Sequence, residues 1–205
     1  MTDRRTIRTY IGLGANVGDA AAALERAVGA LDALPGVRVR AVSPLYATEP
    51  WGVTDQPEFR NAVAALDVTV HGPDLVTAAL SLLSDLKRLE RDLGRRSGAR
   101  WGPRELDLDI LVFGRHRIAT HRPPEARSND AEVDPDKAMR RLEVPHRDAG
   151  ERLFVLAPLA DLAPRLVPPG WSQTIETRRR QVAATERPDA VRKIARWDRE
   201  LGAWV

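Results

Sequence analysis

Two aspartates, Asp107 and Asp109, stand one residue apart in the apolar run ELDLDILVF. Strand side chains alternate faces, so this spacing puts both carboxylates on one side, roughly 6–7 Å apart at their Cα atoms. Leu106, Leu108 and Ile110 then point into a core. Two carboxylates so placed suit one or two divalent cations, which grip a polyphosphate and offset charge as a phosphorus–oxygen bond breaks. A solvated strand face continued by Glu105 is the other reading of the same pattern. The residues just before it favour chemistry. Arg95, Arg96, Arg100 and Arg104 lie in or beside a loop containing Gly94, Gly98 and Gly102. Guanidinium forks match phosphate oxygens, and glycines let a loop close over a ligand. Cations and arginines together imply a substrate with several negative charges, such as ATP.

Other chemistries drop out. The 205 residues include no cysteine, which excludes disulfides and thiolate catalysis. Any metal is left to carboxylates and histidine, and oxygen ligands favour Mg²⁺, Mn²⁺ or Ca²⁺. No G-x-x-x-x-G-K-[ST] run is present. In GLGANVG the glycines stand at 12, 14 and 18, one residue too long for G-x-G-x-x-G. That stretch reads as a turn that lets something approach the backbone. The net charge of +3, from 32 basic and 29 acidic residues, does not by itself point to nucleic acid.

The elements that must position these residues follow from periodicity. TYIGLGAN reads as a buried first strand ending in that glycine turn. Leu24, Ala27, Val28, Leu31 and Leu34 then share one helical face, capped by Asp19 and stopped at Pro35-Gly36. VRVRAVSPLY alternates as a strand; Ala47 to Phe59 is a long loop; NAVAALDV is a third strand. Leu75, Ala79, Leu82, Leu83, Leu86, Leu89 and Leu93 stripe a second helix that opens near Pro73 and stops before Gly94. The aspartate strand comes next. Residues 115–140 are polar and aperiodic and read as a surface insertion. ERLFVLAPLADLAP resumes the apolar pattern, and Pro188 to Trp204 has a helical look. The order is that of a ferredoxin-like βαββαβ core, class α+β: an antiparallel sheet with helices packed on it, plus a C-terminal helical extension. The expected domain spans residues 1–170, with 171–205 a basic extension packed on the same domain.

The aspartate stretch also resembles a known family. RWGPRELDLDIL is similar to the signature of the 6-hydroxymethyl-7,8-dihydropterin pyrophosphokinases of folate biosynthesis. YIGLGANVGD, YATEPWGVTDQPEFRNAV and VPHRDAGERLFVLAPLADLAP agree in order, so the resemblance covers about residues 7–114 and 142–167. It implies transfer of pyrophosphate from ATP to the pterin hydroxymethyl group, leaving AMP, by in-line attack on the β-phosphorus with two Mg²⁺ bridging the phosphates. Such transfer is mostly positioning and charge stabilisation and requires no protein nucleophile.

By the same resemblance, Asp107 and Asp109 hold metal, and Arg95, Arg100 and Arg104 meet the phosphates. Glu90, Arg104, Ile110, His146 and Arg152 take ATP-binding places. Phe59 and Phe154 stack on the pterin, Asn61 and Thr48 address its edge, and Trp101 closes over it; Asn16 is a further motif position. Both phenylalanines also suit a core, His146 a capped loop, and Trp101 a packing anchor. Lys87 departs from the polar residue expected one turn before Glu90. Arg147 and Asp148 depart from the usual turn after His146, and the basic loop is about one residue shorter than in some relatives.

Two rival functions remain open at this stage. A two-metal nuclease uses the same residue types, and a non-catalytic nucleotide-binding module needs only the loop. The tail from Glu176 to Trp204, with eight Arg/Lys against five Asp/Glu, suits either a partner or a solvated helix. The expected partners are ATP and a reduced pterin, other folate-pathway enzymes being candidates, with neither nucleic acid nor membrane. The N-terminus lacks a signal-peptide core, so the expected location is cytoplasmic.

Overall fold

The computed structural model describes residues 4–50, 55–97, 102–128, 130 and 141–205. In strand β1 (Arg4–Ala15), Ile7, Thr9, Ile11, Leu13 and Ala15 are buried in strict alternation, which commits one face to the core. Helix α1 (Ala20–Asp32) starts where the Asp19 carboxylate accepts the Ala22 N–H at 3.1 Å. The expected second strand is two, β2 (Val37–Val42) and β3 (Leu45–Thr48), broken at Ser43-Pro44, where Pro44 has no N–H to give a ladder. Strand β4 (Phe59–His71) is longer than its apolar centre suggested and pairs with β1, β2 and β3. Helix α2 (Leu75–Asp92) is capped by Asp74, and strand β5 (Asp107–Phe113) follows.

All pairings in the main sheet are antiparallel, in the order β5-β1-β4-β3, with β2 also on β4. One face packs Ile11, Leu13, Ala64, Leu66, Leu108 and Ile110 against Leu24 and Leu31 of α1 and Leu82, Leu83 and Leu86 of α2. This is the expected α+β arrangement. The opposite face is covered at one end only. There Val63, Leu111 and Val112 pack on Leu156 and Leu159 of α3 (Leu153–Leu162) and on Ile175 and Val182 of α4 (Ile175–Ala183). The other end carries Gly14, Asp107 and Asp109, all half-buried.

The glycine reading needs correction. Gly12 and Gly14 sit inside β1, not in a turn; they stand opposite Asp109 and Asp107 of β5. The turn itself is made at Gly18, where φ is 63°. Residues 115–140 are also not all surface. Strand β6 (Ile118–His121) pairs with β7 (Arg141–Val144), and Ala126, in a short 3-10 turn (Pro124–Ala126), is fully buried in the core. Residues 129 and 131–140 lie outside the described residues.

The tail departs most from expectation. Its helix comes early, at 175–183, and the stretch read as helical forms strands. Strand β8 (Val191–Ala195) joins the main sheet beyond β3. Trp197–Asp198 (β9) and Ala203–Trp204 (β10) form a small hairpin, its turn closed by Asp198, whose Oδ1 accepts from Glu200 N and Leu201 N. The reason is tertiary: an open β3 edge offers a ladder, and Trp204 finds a slot where its indole N–H donates to Ser43 O at 2.9 Å. Among the described residues no helix is long and apolar enough to cross a membrane.

Candidate active site

The site is built outward from β5, which is an edge strand. Near its start, its outward backbone groups are met by side chains instead of another strand. The Leu108 N–H donates to Glu90 Oε1 at 2.8 Å, and Lys87 Nζ donates to Leu108 O at 3.0 Å. Arg95 Nη1 donates to Leu106 O at 2.9 Å. Lys87 and Glu90 pair at 2.5 Å, both buried, one helical turn apart. Unmet buried backbone groups cost about 1–3 kcal/mol each, so this edge explains why a lysine stands where another polar residue was expected.

Arg95 is delivered by the end of α2. Gly94 takes φ 98°, and its N–H bonds to Arg91 O while the Arg95 N–H bonds to Glu90 O at 2.9 Å. This Schellman closure turns the chain so that Arg95 follows directly after the helix. The Arg95 guanidinium then contacts Asp107, Asp130 at 3.1 Å and Glu90 at 3.5 Å. Arg104 Nη2 lies 3.2 Å from the same Asp130 carboxylate. Three cations, Lys87, Arg95 and Arg104, are thus interleaved with three carboxylates, Glu90, Asp107 and Asp130.

This arrangement sets the ionisation of its members. Burial pushes the Asp107 carboxyl up, but Arg95, Lys87 and Arg104 outweigh it and hold the group well below the usual carboxylate range. Burial also pushes Glu90 up, and there Lys87 and Arg95 offset only part of the effect. Burial disfavours the Arg95 cation, yet Asp107, Glu90 and Asp130 keep it firmly charged.

Asp107 and Asp109 do share a face, as their spacing requires, while Leu106 and Leu108 are fully buried behind them. The Asp107 side chain is 40% exposed and its ion pair with Arg95 uses Oδ1. Among the described residues no group of three or more His, Cys, Asp or Glu side chains is placed to hold a metal. The donor set is therefore two carboxylates on an accessible face. That fits Mg²⁺, which keeps several waters and is held through one or two carboxylates plus substrate phosphates.

The same face continues across the sheet. Asp107 stands opposite Gly14, Gly14 opposite Asn61, and Asn61 opposite Tyr46. Gly14 leaves this row without a side chain between the acid and the amide. A Cβ there would lie 3.1 Å from Asn61 Oδ1. Asn61 donates to Thr48 Oγ1 at 2.8 Å, and both are buried. Phe59, two residues before Asn61, and Phe154, in the first turn of α3, are half-buried. Among the described residues no ring–ring contact joins them. Arg152 lies over the Phe154 ring, 5.9 Å from its centroid. His146 follows β7, its N–H tied to Leu111 O at 2.9 Å.

Several sequence expectations take a different form. Glu90 is fully buried and committed to the β5 edge. The Ile110 side chain is 2% exposed, so any contact it makes with a ligand goes through its backbone. Arg100 and Trp101 lie outside the described residues. Asn16 ties three segments together: its Nδ2 donates to Gln56 Oε1 and Pro57 O, each at 3.0 Å, and its Oδ1 accepts from Arg104 N at 2.7 Å. Asp130 was missed altogether, because it lies in an aperiodic polar stretch with no motif around it. The Lys87–Glu90 pair had a signal, the i, i+3 spacing on a helix.

Comparisons with known proteins agree with this architecture. The family model described as 7,8-dihydro-6-hydroxymethylpterin-pyrophosphokinase (HPPK) matches residues 10–164. The chain is 42% identical over 159 residues to the 2-amino-4-hydroxy-6-hydroxymethyldihydropteridine pyrophosphokinase of Pseudomonas aeruginosa, covering 78% of this chain and 82% of that one. The enzyme of the same name from Bacillus subtilis is 37% identical over 153 residues, covering 75% and 76%. Among solved structures, wild-type HPPK-DHPS of Plasmodium falciparum superposes with a TM-score of 0.70 at 14% identity. That superposition covers 94% of this chain but 49% of the longer one, and it speaks for the fold alone. The family match runs from Tyr10 in β1 through α1, β2–β4, α2 and the aspartate strand into α3, and the chain accordingly belongs to the 7,8-dihydro-6-hydroxymethylpterin-pyrophosphokinase family.

Proposed function

We propose that this pyrophosphokinase works by in-line attack of the pterin hydroxyl on the β-phosphorus of ATP, releasing AMP, with two Mg²⁺ held at Asp107 and Asp109. Family membership carries the coarser statement: the chain is an ATP-dependent transferase that moves pyrophosphate to hydroxymethyl-dihydropterin in folate biosynthesis. The observation that carries the finer reading is the row Asp107, Gly14, Asn61 across three neighbouring strands. Two strand spacings separate the acid from the amide, about 10 Å, and no side chain stands between them. A flat bicyclic ring recognised at Asn61 thereby presents a one-carbon arm toward the metal-binding acids.

Each group has a task in this reading. The cations, when bound, supply charge neutralisation on the phosphates and on the acceptor oxygen. Arg95 and Arg104 are buried and paired inside the cluster, so they reach phosphate oxygens by exchanging those pairs; Arg100 is a third donor, and His146 and Arg152 meet the nucleotide from the other side. Asn61 and Thr48 read the pterin edge, Phe59 and Phe154 take its faces, and Trp101 closes the slot. Glu90 serves by holding β5, and Ile110 through its backbone. Residues 1–170 form the catalytic unit and 171–205 an extension of the same unit. A cytoplasmic location and association with a further folate enzyme belong to the same proposal; the second is supported by a structural neighbour whose name joins HPPK to DHPS. The nuclease and non-catalytic readings give way to it.

Incubation with ATP, Mg²⁺ and reduced hydroxymethylpterin tests the reaction. AMP is the expected product. ADP in its place, or turnover without added divalent cation, overturns the mechanism.

A further inference from the structure

We propose that Arg178 and Trp171, in the extension beyond the family match, are positioning residues for the nucleotide half of the site. The inference rests on the reading above, in which His146 and Arg152 meet ATP.

Both candidate contacts sit on one short turn. At its entry the His146 N–H is tied to Leu111 O of β5 at 2.9 Å. Inside it, Ala149 N bonds to His146 O at 3.0 Å, and the Asp148 N–H donates to His146 Nδ1 at 3.3 Å. That bond occupies Nδ1 and leaves Nε2 as the ring nitrogen open to a nucleotide oxygen. Asp148 Oδ2 also accepts from Arg152 Nη2 at 2.6 Å. Asp148 therefore orients both residues, and what fixes Asp148 fixes them.

The exit of this turn is held by the extension. Arg178 Nε donates to Gly150 O at 2.6 Å. The Trp171 ring closes on the same residue: a Cβ on Gly150 would lie 3.1 Å from Trp171 Cζ2 and 3.2 Å from Cη2. The brace is itself anchored, because Ile175 is fully buried and Val182 nearly so against Leu156 and Leu159 of α3. A guanidinium on one carbonyl and an indole against a residue without a side chain leave the turn little freedom. Outer groups of this kind set the aim of the residues that touch ligand.

Calorimetry with Mg²⁺ and the α,β-methylene analogue of ATP tests this on the full chain, alongside binding of the pterin alone. For Arg178→Ala the analogue should bind on the order of tenfold more weakly, the lower end of what losing an outer-shell partner costs at a metal site. Pterin affinity should not change, the melting temperature should stay within about 2 °C, and Arg178→Lys should restore most of the loss. Gly150→Ala, which presses a methyl against Trp171, should give the same split. In steady state the KM for ATP should rise with kcat within about twofold, as for a loss of ground-state binding. Unchanged analogue affinity in both variants overturns the brace. Parallel loss of both ligands with a large fall in melting temperature also overturns it, since that is a merely structural role. A wild-type chain that binds no analogue would sink the functional reading underneath as well.

Discussion

At the scale of single residues, Asp109 offers the cleaner test of the proposed metal pair. Asp107 is ion-paired with Arg95, so removing it disturbs the charge cluster whether or not it holds metal. Asp109 projects from the same face of β5, and its replacement tests the carboxylate pair more cleanly. Asp109→Asn should lower Mg²⁺-dependent turnover by at least about a hundredfold while the melting temperature moves by no more than about 2 °C, because a half-exposed carboxylate adds little to stability. Turnover near the wild-type rate would remove the metal assignment. Asn16 is a different kind of residue: buried, with its side chain bonded to two other segments. Asn16→Ala removes three hydrogen bonds, to Gln56, Pro57 and the Arg104 N–H, at about 0.5–1.5 kcal/mol net for each. Chemical denaturation should show a loss of at least about 2 kcal/mol, and the KM for both substrates should rise together.

At the scale of elements, the end of α2 and the start of α4 carry the sharpest expectations. The left-handed turn at Gly94 places Arg95, and a Cβ there meets nothing within 4 Å, so alanine brings backbone strain alone. Gly94→Ala should cost about 1–2 kcal/mol and slow turnover more than it weakens the fold, since Arg95 loses its aim. Kinetics and urea melts on one preparation decide between those effects. In α4, hydrogen bonds from Arg179 and then Arg180 hold the Glu176 carboxyl down to about 2, against an ordinary value near 4.3. The sign follows directly. A depressed carboxylate stabilises the fold above its unfolded value and loses that contribution as pH falls toward the folded one. Glu176→Gln should therefore melt slightly below the wild type at pH 7, by under about 1 kcal/mol for so exposed a pair, with the difference shrinking below about pH 4 and gone once pH falls below about 2. A difference that persists in acid would place the effect in helix packing instead.

At the scale of the whole molecule, the C-terminus acts as a clasp. Trp204 is 9% exposed, lies edge-on to Trp197 at 4.7 Å, gives its indole N–H to Ser43 O and its backbone N–H to Glu25 Oε1 at 3.0 Å. It thus joins α1 to the β2–β3 break. Elsewhere Tyr46 donates to Asp161 at 2.5 Å, and Lys193 of β8 reaches the same carboxylate at 3.0 Å. Trp204→Ala should cost about 3 kcal/mol and lower the melting temperature by about 10 °C, with kcat little changed well below the transition. A variant that melts like the wild type would show that the clasp only rests on the surface.

Much of this was legible in the chain, for local reasons. Alternation put Asp107 and Asp109 on one face, the leucine stripe and Gly94 bounded α2, and Asp19 and the apolar face of α1 behaved as their residue types require. These depend on neighbours a few positions away. The tertiary structure alone decided the rest. It made the 191–195 segment a strand, because an unpaired edge of β3 was available to it. It turned Gly12 and Gly14 from turn residues into the gap beside the acids, and it brought Asp130 onto Arg95 and Arg104. Such placements come from partners tens of residues distant, whose backbone groups and charges must be met once water is excluded; no period within one segment encodes them.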